Sequence, residues 1–406
     1  MSNHHYEDFL DKHIHRLVNK AKYEEAIEYI DSILPEISKI KNKKKELDLL
    51  IKKGAILFML GEFLDAQEIN KKASHLAMQL QCISSEIKIL NNSAIISIHY
   101  GDTNTAIFQY QNALELAVKL GLSKKIGEIK YNLGLVHYRI GNFKLASEYL
   151  HTSKGIASDL EDLEGVLLCE NVIGEILRKT GKPNKALETH KSLMKIVKEN
   201  ALTHRIFDVR RNILLDDFAF LKDKGIINSL EKLLHDVEEI DARSLYPQIA
   251  YDLAEIYFSL EDYDNALKYL LIAEEHVKMR IRTFLLPPVF TMIAHVNLLN
   301  GKRYYKRAEK YCLQSLDWAE ANSNFKEVVR ANMLLGQLKL KSNQIEEALN
   351  YYQIALDKLI LIDDEKIKKS VLDEYSVFLN IYNQCDPSLK LHFREEEKTG
   401  RFASSH

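Results

Sequence analysis

Cysteine is scarce in this chain, with four in 406 residues, and Cys82, Cys169, Cys312 and Cys385 are too far apart for a paired zinc or redox spacing or a small disulfide framework. They are expected as reduced, mostly buried thiols. Phosphate-binding and metal-binding signatures are also missing: there is no GxxxxGK[ST], no GxGxxG after a strand and no HExxH, and nothing strand-like to carry them. His4, His5, His13 and His15 gather near Asp11, but ligand type without convergent geometry does not define a metal site. Neither catalytic chemistry nor a cofactor is expected. The longest apolar region, Thr283 to Leu299, is short for a membrane span and contains Pro287, Pro288, His295 and Asn297. The first residues, MSNHHYEDFLDKH, lack the apolar stretch of a signal peptide. Charge of one sign is lacking too: 56 basic against 58 acidic residues leave a net charge of -2, with no global pull toward nucleic acid or an anionic membrane. The expectation is a soluble cytoplasmic protein.

What the chain does have is a period. Short turn segments recur at 40-residue intervals: GEFLDA ends at Ala66, GDTNTA at Ala106, GNFKLA at Ala146 and GKPNKA at Ala186. AKYEEA precedes them, ending at Ala26, and EDYDNA resumes the register at Ala266 after a degenerate copy anchored at Ile226. Two inserted residues shift the next anchor to Ala308, and NQIEEA closes the series at Ala348. Nine units of this size mean stacked supersecondary elements rather than the two or three separate domains that the length allows.

Each unit reads as two antiparallel helices. In unit four, Leu133, Gly134, Val136 and Ile140 mark a first helix, Gly141 and Asn142 interrupt it, and helical spacing resumes from Phe143 to Leu160. Twelve residues before the anchor stands another small residue, namely Gly54, Ala94, Gly134, Gly174, Ala254 and Gly336, with Ala294 fourteen before its anchor because of the insertion. Small residues on both sides let the two backbones approach closely. Seven places after the anchor, Ala73, Ala113, Ser153, Ala273, Ser315 and Ala355 form the face expected to meet the next unit. Pro247 and Pro288 fall where first helices begin and Pro183 where a second helix begins. Pro35 falls late in a second helix and is expected to end or kink it.

These small residues, turn glycines, aromatics and alanines resemble the tetratricopeptide repeat over nearly the whole chain. The longer unit is similar to the extended variety of kinesin light chains, spindle-orientation adaptors and bacterial peptide-pheromone receptors; the early tryptophan of many repeats is absent, since Trp318 lies in a second helix. The resemblance implies an all-α fold, a right-handed superhelical α-solenoid of about nine helix-turn-helix repeats over residues 6–385. A capping helix over Asp363 to Asn383 and a mobile tail at 386–406 complete the expectation. It further implies that first helices line a concave groove, with residues 14, 11, 8 and 7 before each anchor facing a ligand.

Read in that register, the peptide- or protein-binding candidates are Asn92 and His99, then Asn132, Leu135, Tyr138 and Arg139, then Val172, Glu175, Arg178 and Lys179, then Asn212, Leu215 and Phe218. Asn91, Tyr131, Asn171 and Arg211 lie one residue outside and are expected to flank the groove. An asparagine amide both donates and accepts, so a ladder of Asn92, Asn132 and Asn212 suits the backbone of an extended peptide, as in members of the resembled family. An ordinary solvated helix face accounts for the same asparagines. Arg139, Arg178, Lys179 and Arg211 suit acidic side chains or a terminal carboxylate, or are neutralised internally by Glu128, Glu175 and Asp208. The full two-carboxylate clamp of chaperone cochaperones is not reproduced.

Unit six departs from the pattern, with Leu214 at the small position and Asp216 and Asp217 inside its first helix, so residues 206–245 read either as a hinge or as a decayed repeat. The leading functional reading is a non-enzymatic scaffold or adaptor that holds an extended partner segment. The alternative is a peptide-sensing regulator whose superhelix changes pitch, although repeat-like sequence begins by about residue 8 and leaves no appended effector ahead of it. Self-association through solenoid ends or tyrosine-rich second helices, as at Tyr304, Tyr305, Tyr311, Tyr351 and Tyr352, stays open.

Overall fold

A computed structural model describes residues 3–19, 22–60, 62–100, 102–221, 224–239, 245–278, 285–321, 324–362 and 365–385. The tail 386–406 and the turn glycines Gly61 and Gly101 lie outside them, and so do the side chains of His99, His4 and His5. Among the described residues there is no strand, and no helix is long and apolar enough to cross a membrane.

The helices come in the pairs that the period requires: α1 (Asn3–Asn19) with α2 (Tyr23–Lys39), α3 (Lys43–Leu60) with α4 (Phe63–Gln79), and α5 (Ile83–Tyr100) with α6 (Thr103–Lys119). Then follow α7 (Ser123–Arg139) and α8 (Phe143–Asp159), α9 (Leu163–Lys179) and α10 (Pro183–Glu199), and α11 (Ile206–Leu221) and α12 (Gly225–Glu239). The last pairs are α13 (Tyr246–Ser259) and α14 (Tyr263–Lys278), α15 (Leu286–Leu299) and α16 (Tyr305–Ala321), and α17 (Phe325–Lys341) and α18 (Ile345–Leu359), before the final α19 (Glu365–Cys385). Two compact units divide the chain, Met1–Leu133 and Gly134–His406.

Local chemistry explains where the helices stop. The chain must enter a left-handed conformation between the helices of a pair, and Gly141, Gly181 and Gly301 do so without a Cβ penalty, at φ of 84°, 80° and 100°. Glu261 and Asn343 take the equivalent place in later pairs. Side-chain caps then restart the helices: Asn142 accepts from the Leu145 N–H, Asp162 from Gly165 and Asn324 from Glu327. Pro183 opens α10 at a position whose N–H has no helical partner. Pro35 does not end its helix, because α2 runs through it to Lys39.

Packing follows the small residues. The anchors Ala26, Ala66, Ala106, Ala146, Ala186, Ala266 and Ala348 are fully buried. Opposite the first-helix glycines sits the side chain four places after the anchor, and it fills the space that a Cβ would need. A Cβ on Gly134 would lie 2.8 Å from Leu150 Cγ, one on Gly174 2.5 Å from the His190 ring, and one on Gly336 2.9 Å from Tyr352 Cζ. In unit Met1–Leu133, Leu10, Ile30, Ile37 and Leu49 make a core between α1, α2 and α3. In unit Gly134–His406 the largest cluster runs from Phe218 through Leu230, Leu253 and Ala273 to Val296, and it absorbs the irregular sixth pair: Ile226 is buried in it and Leu214 packs against it. The cap is present, since Val371, Tyr375, Phe378 and Leu379 of α19 close over Tyr352 and Leu359 of α18.

Gly134→Leu is therefore expected to drive α7 and α8 apart and lower stability by about 1–3 kcal/mol, the usual range for overpacking. Gly155, on α8, has nothing within 4 Å of a built Cβ, so Gly155→Ala is expected to raise stability by up to about 1 kcal/mol through helix propensity alone. Urea unfolding midpoints of the two variants check both signs.

Candidate functional site

The first helices carry the candidate residues on two kinds of surface. Asn132, Leu135, Tyr138 and Glu175 are half-buried, Asn92 likewise, and Arg139 and Lys179 are exposed. Arg178 is largely covered, with 11 % of its side chain accessible. Val172, Arg211, Asn212 and Phe218 are buried, Asn212 completely. Leu215 is half-buried against the large core cluster. The side chain of His99 lies outside the described residues.

A period of 40 puts residues 34, 37, 38 and 41 apart on facing turns of neighbouring first helices, and polar side chains meet at these offsets. In unit Met1–Leu133, Asn132 Nδ2 donates to Asn91 Oδ1 at 2.9 Å. In unit Gly134–His406 the same offset recurs, with Asn212 Nδ2 donating to Asn171 Oδ1 at 3.0 Å. At the second offset, Asn212 Nδ2 donates to Glu175 Oε1 at 3.1 Å and Tyr138 Oη to Glu175 Oε2 at 2.6 Å. Arg178 donates to Asn212 Oδ1 at 3.3 Å and to Asp216 Oδ1 at 2.6 Å. The other Asp216 oxygen meets His190 Nδ1 at 2.5 Å, while His190 Nε2 lies 3.1 Å from the Asn171 carbonyl. Both ring nitrogens of His190 thus lie against oxygen atoms, of Asp216 and of the Asn171 carbonyl. Arg211 grips Asp252 through two hydrogen bonds at the 41-residue offset. Tyr251 Oη reaches Glu255 Oε1 at 3.1 Å, with Lys179 Nζ 4.0 Å from the other Glu255 oxygen.

Electrostatics fixes the charge states along this strip. Burial pushes the Glu175 carboxyl up, yet Arg211 and Arg178 and the bonds from Tyr138 and Asn212 outweigh it and hold the group below its ordinary 4.5. Burial and the neighbouring Glu175 drive the Tyr138 phenol well above 10, so it stays a donor. Burial works against the Arg211 charge, but Asp252 and Glu175 more than compensate and raise its pKa. Glu255 stays below the usual carboxylate range despite burial, under the charges of Lys179 and Arg330. His295, half-buried on α15 with its ring centroid 4.8 Å from that of Phe258, is pushed down to about 4 by burial and by Arg330 and Lys341, which makes it neutral.

The sequence reading singled out Glu175, Arg178 and Asn212, and Glu175 lies in the field of Arg211 and Arg178. The amide of Asn212 is engaged by Asn171, Glu175 and Arg178. Asn171 and Arg211, read as flanking residues, are partners within the strip. His190, Asp216, Asp252, Tyr251 and Glu255 were not singled out as site residues. Their signal was available, because a carboxylate inside a first helix, 38 or 41 residues from an arginine, falls on a contact offset.

Removing one member of a buried pair leaves a charge without compensation, so Arg211→Leu is expected to cost about 3–5 kcal/mol, whereas Arg211→Leu combined with Asp252→Leu recovers most of that loss. Urea unfolding of the single and double variants reads the difference. The depressed Glu175 carboxyl contributes stability that is complete above its ordinary 4.5 and is lost as the pH falls through its lower folded value. Glu175→Gln is accordingly expected to make the decline in melting temperature shallower between about pH 5 and pH 3.

The tetratricopeptide repeat family model matches residues 247–272, which cover α13 and most of α14. No curated protein matched the chain. Among solved structures, a Rap protein complexed with Competence and Sporulation Factor shares 14 % identity at a TM-score of 0.61, covering 91 % of this chain and 99 % of its own. The apo form of the quorum sensor NprR from B. thuringiensis follows at 14 % identity and 0.54, covering 88 % and 99 %. The Rap conjugation gene regulator of plasmid pLS20 in complex with the Phr* peptide is similar at 15 % identity and 0.52, covering 87 % and 94 %. The helix pair α13 and α14 carries the tetratricopeptide match, and the fold of the chain resembles that of these solved structures.

Proposed function

We propose that the chain is a binding scaffold that holds an extended peptide or protein segment along its first helices. The observation that carries this reading is the strip from Tyr138 to Glu255, in which donors and acceptors are fixed by one another while Arg139 and Lys179 reach solvent at its edge. Rigid polar groups on helices suit an extended ligand, because little side-chain entropy remains to be lost on binding. The exposed cations favour a partner segment with acidic side chains or a free carboxylate.

A peptide-sensing regulator is the second reading. It is favoured by a contact within unit Gly134–His406: Lys326 Nζ of α17 lies 5.8 Å over the Phe143 ring at the start of α8, so helices five repeats apart in sequence meet. A ligand lying between them has a means of moving one against the other. The structural relatives include a Rap protein with Competence and Sporulation Factor, a Rap regulator with the Phr* peptide and a quorum sensor, which agrees with this reading.

Capture of partners from native cytosol by the wild type and by an Arg139→Glu, Lys179→Glu variant, quantified by mass spectrometry, tests the scaffold. The expected result is selective loss of at least one partner, on the order of tenfold, with unchanged helicity, because each reversal replaces an attraction by a repulsion. An unchanged partner profile contradicts it. A change in X-ray scattering radius when the captured segment is added distinguishes the sensor from the passive scaffold.

A further inference from the structure

Because the helices of a pair are antiparallel, the connections between pairs gather on one edge of unit Met1–Leu133 and the turns within pairs on the other. The second helices end alike at the first edge: Asn42, Cys82 and Leu122 donate their backbone N–H to the Ile37, Ala77 and Ala117 carbonyls, with the residue before each in the left-handed conformation. Gly121 takes that place freely at φ of 65°, whereas Lys41 and Gln81 take it at 56° and 50° against the Cβ penalty. One residue earlier stand Ile40, Leu80 and Leu120, which are 63 %, 38 % and 41 % exposed, and Met78 and Val118 are exposed just before the last two. The apolar contact that accompanies such a helix end is made by the residue two places further on. Apolar side chains thus recur every 40 residues along an edge where packing does not use them.

The same edge is basic. Lys39, Lys41 and Lys44 adjoin Ile40 in sequence, Lys119 and Lys124 adjoin Leu120, and all five are exposed. Among the described residues no carboxylate is paired with any of them, while Lys43 is held by Glu46 at 2.9 Å and Lys125 by Glu128. Lys43 and Lys44 open α3, and Lys124 and Lys125 stand in the first turn of α7, where the helix dipole favours carboxylates and disfavours cations. The edge of the turns carries Glu24, Glu25, Glu62, Asp65 and Asp102 instead, with Lys22 bound to Glu25. Charge is therefore sorted between the two edges, and on the basic one it stands where local helix chemistry works against it.

The spacing selects the shape of the occupant. α3 packs directly on α5, so successive pairs advance by the interaxial distance of packed helices, roughly 10 Å. An α-helix presents the same side at i and i+7, about 10.5 Å apart. A strand presents it at about 6.6 Å or about 13 Å. We infer that this edge of unit Met1–Leu133 docks an amphipathic helix of a partner protein, one whose apolar face is bordered by carboxylates. The apolar face covers Ile40, Leu80 and Leu120, and the carboxylates meet Lys41 and Lys44 toward one end and Lys119 and Lys124 toward the other. This surface is separate from the strip between Tyr138 and Glu255, and the inference stands without it.

The probe is a blocked peptide of about 18 residues, about five helical turns, with leucine at i, i+3, i+4 and i+7 and glutamate on both borders of that face. A second peptide carries lysine in place of glutamate. Each is titrated into the full chain carrying ¹³C-methyl methionine, and the Met78 methyl resonance is the reporter. A saturable shift is expected with the glutamate peptide, on the order of tenfold tighter than with the lysine peptide. Affinity is expected to fall roughly fivefold in an Ile40→Ser, Leu120→Ser variant and in a Lys41→Glu, Lys124→Glu variant. Lys41→Gly separates binding from folding: glycine relieves the left-handed backbone, so the melting temperature is expected to equal or exceed that of the wild type while affinity falls. Absence of a saturable Met78 shift, or equal affinity for the two peptides, overturns the inference. A Met78 shift with vesicles of phosphatidylcholine and phosphatidylserine, and none with the glutamate peptide, overturns it in favour of an anionic lipid surface. Arg139 and Lys179, altered in the capture experiment, belong to the other unit, so either result can fail without the other.

Discussion

The close approach of the two helices in each pair is the constraint on which everything else depends. It is set by a first-helix residue with little or no side chain, covered from the second helix by a large one: Leu150 over Gly134, His190 over Gly174, Tyr352 over Gly336. With that contact repeated every 40 residues, the phase of every first helix is fixed relative to its own second helix. One face of each first helix is then committed to the core, and the opposite face carries the polar and exposed positions. A binding surface built this way follows from packing, since the residues available to a ligand are those that packing does not use.

The polar strip of unit Gly134–His406 shows what happens where packing and polarity meet. His190 takes the place of an aliphatic side chain over Gly174, and a buried imidazole needs partners. Asp216, in the least regular pair, supplies one and shares itself with Arg178. The irregularity of that pair and the polarity of its predecessor are thus one compensated arrangement. Arg211 and Asp252 repeat the solution one helix further on. Such buried networks add specificity more readily than stability, because desolvation opposes most of the Coulomb gain.

The period, the helix pairs, the turns and the cap were legible in the sequence because each follows from short-range patterns of small and apolar residues. What the sequence did not reveal is which residues of α11 are buried. Residues 211, 212 and 218 fall inward there, since Leu214 at the small position and the Ile226 anchor repack the sixth pair. Asn132 and Asn212 of the expected ladder each bond to an asparagine of the preceding first helix, Asn91 and Asn171, a pairing at an offset of 41 rather than 40. Pro35 does not end α2, whose buried Ile30, Ile33 and Ile37 hold the helix on either side of the local breaker.

The central claim is that partners lie along first helices and not on the outer surface of second helices. Site-specific photocrosslinking measures this directly, with a benzophenone amino acid placed at Lys179 on α9 or at Lys195 on α10, whose side chain is 78 % exposed. The account predicts a crosslinked partner from position 179 and none from position 195. Crosslinking from 195 alone would contradict it and move recognition to the opposite face of the helix pairs.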